Sequence, residues 1–302
     1  MRDDDHNPQL TGDLDGPHAE EATERARRRK AEERAWVPVI LKRSDEARRH
    51  PDDLLVLAIS AGLEQLNRPA VSLVLSAVAA GLILGFSAMA VAVVKVATDQ
   101  AAWPMLERIL SSMVYPFGFV ICLMSGTELF TEHTATAVYP VLDRQSTIAR
   151  LIRLWFLVMF GNLVGAFISA LLLTGADPVV GARRGYLGIG LKLIEVDSLP
   201  LLASALLAGW LMALGAWLIL ATPPAVSQIV SIYIVTALIG VGGLHHSIAG
   251  AVELFTYLLM ADDPAIVSGV RFLGLALVGN LIGGSLFVAV LNYGHIRKSQ
   301  ET

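Results

Sequence analysis

The chain has 302 residues, 54% of them apolar and only 17% charged, with a mean hydropathy of +0.59. An ordinary soluble domain is roughly a quarter charged, so a soluble fold is disfavoured. Cys122 is the single cysteine, which excludes a disulfide framework and a cysteine-only metal cluster, and the net charge of -4 offers no basic surface for nucleic acid.

The charge is concentrated at the start. Residues 1–68 hold 12 Lys/Arg and 15 Asp/Glu, and residues 69–302 hold 11 and 12. Residues 1–53 therefore read as a charged tail. Within it, 1–17 are acidic with Gly and Pro and predict disorder. Residues 18–36, rich in Ala, Glu and Arg, predict a charged helix whose run Arg27-Arg28-Arg29-Lys30 is a solvated face. The first long apolar run is too far from Met1 and too long for a cleavable signal peptide. Residues 54–68 are amphipathic and predict a helix lying along the membrane surface.

A bilayer core takes about 20 apolar residues per helix. Stretches free of Asp, Glu, Lys and Arg mark the spans in the channel region 69–295: 26 residues between Arg68 and Lys95, 23 between Arg153 and Asp177, and 25 between Arg271 and Arg297. The 55 residues between Asp197 and Glu253 make two spans divided at Pro223-Pro224, because proline cannot continue a helix. The remaining stretch, Ile109–Leu142, carries Glu128 and Glu132 in its middle and reads as one interrupted span. The span after Pro224 is interrupted in the same way by Gly240-Val241-Gly242-Gly243-Leu244-His245-His246.

The total is an all-α integral membrane protein of six spans, the second and fifth broken. Arg183-Arg184 read as a solvated loop. Six spans place both termini on one side, together with 17 of the 23 Lys/Arg. The positive-inside rule makes that side cytoplasmic, with 296–302 a cytoplasmic C-terminus, in the inner membrane of a bacterium.

The halves repeat. Gly161-Asn162-Leu163-Val164-Gly165 recurs as Gly279-Asn280-Leu281-Ile282-Gly283, each after a broken span. Three spans per half force the two copies into opposite orientations, and inverted repeats with discontinuous helices are a transporter signature. Glu128-Leu129-Phe130-Thr131 also has an echo in Glu253-Leu254-Phe255-Thr256, at a different distance from its asparagine. Small residues four apart fit helix packing, while Asn162 and Asn280 read as pore-lining or interhelical contacts. Two broken helices restarting at mid-membrane would aim two positive ends at one point.

Pro116-Phe117-Gly118-Phe119, Ser125-Gly126-Thr127-Glu128-Leu129-Phe130-Thr131, the two Gly-Asn-Leu copies and His246-Ser247-Ile248-Ala249 together resemble the formate/nitrite transporter family over about residues 54–295. The resemblance implies an aquaporin-like six-helix protomer, a homopentamer with one pore per protomer, no cofactor, and passage of small monovalent anions or their conjugate weak acids. It implies that Thr131 faces a pore histidine, His246, and that apolar constrictions use Leu129 and Phe130 on one side and Tyr115 and Ile239 on the other, with Phe119 among them. Lys192 matches a lysine that draws anions to the mouth. Gly209 and Gly250 stand where asparagines are common, and His245 and the pair Glu132-His133 also depart from the pattern, which marks a divergent branch.

The chemistry expected is His-assisted protonation. An anion cannot cross an apolar ring cheaply, and an imidazole with an ordinary pKa of about 6.5 can exchange a proton near neutrality. His245 reads as structural, Glu128 as a partner for free amides at the break, and Glu253 as either paired or facing a cavity. An ion-coupled secondary carrier is the alternative. An intramembrane serine protease on Ser125 or Ser247 lacks the Gly-x-Ser-Gly setting, and a water pore lacks paired Asn-Pro-Ala motifs.

Overall fold

The computed structural model describes residues 51–99 and 103–300, so the predicted tail 1–50 lies outside the described residues. Every regular element among them is helical. Helix α1 is Pro51–Asn67, and its buried Leu54, Leu55, Ala58 and Ile59 form one apolar stripe. Helix α2 is Ala70–Thr98, about 44 Å at 1.5 Å per residue, which exceeds a hydrocarbon core. Helices α3 (Pro104–Val114) and α4 (Pro116–Met124) together make the second apolar span. They join at Pro116, whose missing N–H breaks the ladder. Ser87 of α2 repairs the joint by donating to the Tyr115 carbonyl at 2.6 Å and accepting from the Gly118 N–H at 3.0 Å.

The chain then breaks at Ser125–Leu129 and restarts as α5 (Phe130–Thr136), followed by the short α6 (Tyr139–Leu142). Helix α7 (Ile148–Val180) is capped by Thr147, whose hydroxyl accepts from the Arg150 N–H. Helix α8 occupies Arg183–Glu195, where a solvated loop was expected. Arg183 is fixed there by bonding the Met260 carbonyl, a contact 77 residues away that no local pattern announces. Helix α9 (Ser198–Ala221) and α10 (Ala225–Gly242) are separated by the proline pair. After a second break comes α11 (Ser247–Met260), then α12 (Ile266–Ile282), a π-turn at Gly283–Val290 and α13 (Leu291–Gln300).

Six helices are long and apolar enough to cross a membrane, and α11 is a shorter apolar helix. The expected plan of six spans with breaks in the second and fifth is present. The π-turn in the sixth was not expected. It falls where Gly284 meets Thr134 of α5, so closely that a Cβ would stand 2.2 Å from Oγ1, and Ser285 donates to the Thr134 carbonyl. π-turns collect at such local demands.

The glycine repeats set the helix spacing. A Cβ on Gly81 would stand 2.2 Å from the Asn162 carbonyl oxygen, and one on Gly165 2.1 Å from that of Val78, so α2 and α7 meet backbone to backbone. A Cβ on Gly209 would stand 2.3 Å from the Asn280 oxygen, and one on Gly283 2.1 Å from that of Leu206, so α9 and the sixth span meet in the same way.

Candidate functional site

Both breaks are built alike. Helix α4 ends at Gly126, φ +65°, with the Thr127 N–H reaching back to the Cys122 carbonyl and the Gly126 N–H to that of Leu123. Helix α10 ends at Gly243, φ +59°, with Leu244 bonded to Ile239 and Gly243 to Gly240. These are paired six-to-one and five-to-two bonds around a left-handed glycine, a conformation that an L side chain would strain.

Each exposed strand of backbone is then held from within its own half. In the first break, Ser76 accepts the Glu128 N–H at 3.1 Å. Asn162 Oδ1 accepts the Phe130 N–H at 2.8 Å, and its amide donates to the carbonyls of Ala77 and Glu128. In the second, Ser204 accepts the His245 N–H at 3.0 Å. Asn280 Oδ1 accepts the Ser247 N–H at 2.7 Å and donates to the carbonyls of Ala205 and His245. Unpaired backbone groups at membrane depth cost several kcal/mol each, which accounts for two wholly buried asparagines. They bridge helices here.

This register equates Glu128 with His245, Leu129 with His246 and Phe130 with Ser247. The Glu-Leu-Phe-Thr echo at 253–256 is out of register and structurally unrelated. The two amide ends are also less free than expected, since the Glu128, Phe130, His245 and Ser247 amides already have side-chain partners.

The two halves meet at Thr131 and His246. Both are buried, and Oγ1 lies 2.7 Å from Nε2. Helix α5 begins at Phe130, so Thr131 sits in its first turn. The cap is instead His246, whose Nδ1 accepts the Ala249 N–H at 3.1 Å. That bond fixes the neutral ring with its proton on Nε2, pointed at Thr131. The Phe119 ring stands edge-on to His246 at 4.9 Å, and Tyr115 lies 5.1 Å beyond it. The five constriction candidates, Tyr115, Phe119, Leu129, Phe130 and Ile239, belong to one buried apolar cluster.

A cavity of about 640 Å³ opens on the side away from the termini. His246, Tyr115 and Ile239 line it, and Phe119, Leu129, Phe130 and Thr131 do not, so it ends at the histidine with the apolar cluster beyond. Lys192 stands at its mouth, exposed, with Nζ 3.3 Å from Glu107 Oε1. Lys95 approaches the same oxygen at 2.9 Å. Sequence reading named neither Lys95 nor Glu107, because nothing local links residues 12 and 85 positions apart. His245 Nδ1 lies 2.6 Å from Ser204 Oγ. Gly209 packs on the Asn280 backbone. Glu128 meets the Arg68 guanidinium across the first break, a partner other than the amides expected. Among the described residues, no group of His, Cys, Asp and Glu could hold a metal ion.

A family profile described as "Formate/nitrite transporter" matches residues 52–294. "Inner membrane protein YfdC" of Escherichia coli (strain K12) is 33% identical over 245 residues, covering 80% of this chain and 77% of that protein. "Formate channel BtFdhC" of Bacillus thuringiensis is 24% identical over 83% of this chain and 97% of its own. Among solved structures, an "FNT family ion channel" superposes with a TM-score of 0.72 at 17% identity, over 80% of this chain and 98% of that one. A "Pentameric formate channel with formate bound" gives 0.64 at 19% identity, over 79% and 98%.

Proposed function

The chain belongs to the formate/nitrite transporter family, whose members are channels and transporters of formate/nitrite-like anions and not enzymes, and on that premise we propose how this pore passes its permeant. The fold is the aquaporin-like arrangement of two inverted three-helix repeats. The permeant is a small monovalent anion of a weak acid, such as formate, nitrite, hydrosulfide, acetate or lactate. It gathers at the mouth beside Lys192 and descends the cavity to His246. There the Nε2–H donates to Thr131 Oγ1, which leaves the threonine O–H to donate to the anion. The anion takes a proton from His246, or from water relayed by it, and crosses the apolar cluster as the neutral acid. A bare ion on the same path would lose its hydration with no fixed counter-charge to replace it, at a cost of several kcal/mol.

The reading is carried by one observation, the 2.7 Å contact between Thr131 Oγ1 and His246 Nε2 at the closed end of the cavity. Five copies around an axis, each with its own pore, follow the assembly named for the pentameric relative. The inner membrane follows the name of the Escherichia coli relative, with both termini cytoplasmic by the distribution of Lys and Arg.

The test is uptake of that panel of weak acids by proteoliposomes over a pH series, wild type against His246→Asn. Loss of the donor should slow uptake roughly tenfold, the rate worth of one hydrogen bond, and flatten the pH profile. An unchanged profile for every acid refutes the histidine's role. Uptake that follows a sodium gradient instead would identify an ion-coupled carrier.

A further inference from the structure

Glu253 is the acid that the mechanism above does not use. His246, Gly250 and Glu253 follow one another at spacings of four and three, which places them on one face of α11, and all three line the cavity. The Glu253 residue is 9% exposed, and among the described residues no hydrogen-bond or ion-pair partner meets its carboxyl. Gly250 puts no side chain between Glu253 and His246, which lie roughly 10 Å apart along the helix axis.

The surrounding charges are otherwise engaged. On α2 and α8, Lys95 and Lys192 share Glu107 of α3. Arg108 bonds the Val241 carbonyl at 2.6 Å. Of the helices packed on α11, α7 and α12 bring no charged side chain to the cavity, and Arg271 of α12 holds the Ile194 carbonyl at 2.7 Å. Glu132 of α5 does not line the cavity. The groups facing Glu253 across the space are the Tyr115 phenol, within electrostatic reach, and His245 and His246 at the head of its own helix.

A buried carboxylate with no counter-ion, set in the path of an anion, would oppose the traffic it lines. The same carboxyl carrying a proton is a donor. We propose that Glu253 is the proton-exchange group of the cavity, protonating the incoming anion before it reaches His246 and so tying each anion to one proton. The step is balanced: the carboxyl O–H bond breaks, an O–H (or S–H) bond forms on the anion, and the Glu253 carboxylate regains a proton from water through the open mouth.

The inference rests on the weak-acid reading, and one experiment separates their failures. Formate uptake into proteoliposomes carrying an entrapped pH-sensitive dye is followed for wild type, Glu253→Gln and Glu253→Asp. The glutamine variant should lose about tenfold in uptake near neutral pH, with the gap closing near pH 4, where a carboxylic permeant supplies its own proton. The aspartate variant, which still carries an acid, should keep most of the uptake and its proton movement. Three results overturn the proposal: an unchanged pH profile in Glu253→Gln; faster uptake in Glu253→Gln, which makes the carboxylate an electrostatic gate; or equal losses in both variants at every pH, which makes the side chain structural. If wild type passes no weak acid at all, the underlying reading fails and takes this step with it.

Discussion

At the scale of single residues, His246 is committed twice. Its Nδ1 ends a helix and its Nε2 faces the other half of the molecule, so the ring cannot turn without uncapping α11. Asn280 is committed three times, to the Ser247 N–H and the carbonyls of Ala205 and His245. Asn280→Ala should therefore lower stability by about 2–4 kcal/mol, since it strands several buried groups in a place that water cannot reach. Thermal unfolding in detergent measures it, and a change under 1 kcal/mol, within the range of an ordinary surface substitution, would show that the break needs no such anchor. Asn162 was legible as a polar residue in an apolar helix, but its three partners lie 32, 34 and 85 positions away. The distinction between lining a pore and tying a loop is a matter of direction, which spacing alone does not carry.

At the scale of helices, close approach is concentrated at a few glycines. Gly209→Ala puts a methyl 2.3 Å from the Asn280 carbonyl oxygen, whereas Gly274→Ala, on α12, meets nothing within 4 Å. The first should cost about 1–3 kcal/mol through forced backbone shifts, and the second should be neutral or stabilising by about 0.4–1 kcal/mol. Paired melting curves decide it, and equal effects would refute the contact. Charge-free stretches located five of the six spans and both interruptions because the bilayer imposes one length on every helix. They missed α8, whose Gly185, Gly188 and Gly190 suppress helix propensity but sit against the Ala92 backbone, the Lys95 side chain and the Tyr257 ring respectively. Packing overrides propensity there. They also missed the true register of the repeat, in which Leu129 answers His246. The two halves keep the serine and asparagine supports and diverge at the residue each loop presents to the centre.

At the scale of the whole molecule, charge is arranged at the mouth and removed from the middle. Lys95, Lys192 and Arg108 outnumber Glu107 around the cavity entrance, and a surplus of one sign raises the local concentration of its counter-ion. Lys192→Ala should slow anion entry about two- to fivefold at low ionic strength, and the deficit should vanish near 1 M salt, where the screening length is about 3 Å. Initial uptake rates at two salt concentrations check this, and equal rates at low salt would exclude the role. The internal closure of each half has a consequence for biogenesis. Ser76, Asn162 and the first loop all belong to the opening three spans, so a nascent polypeptide leaving the translocon can complete that loop while the ribosome is still making the rest. The threonine alone has to wait, because its histidine is synthesised more than a hundred residues later.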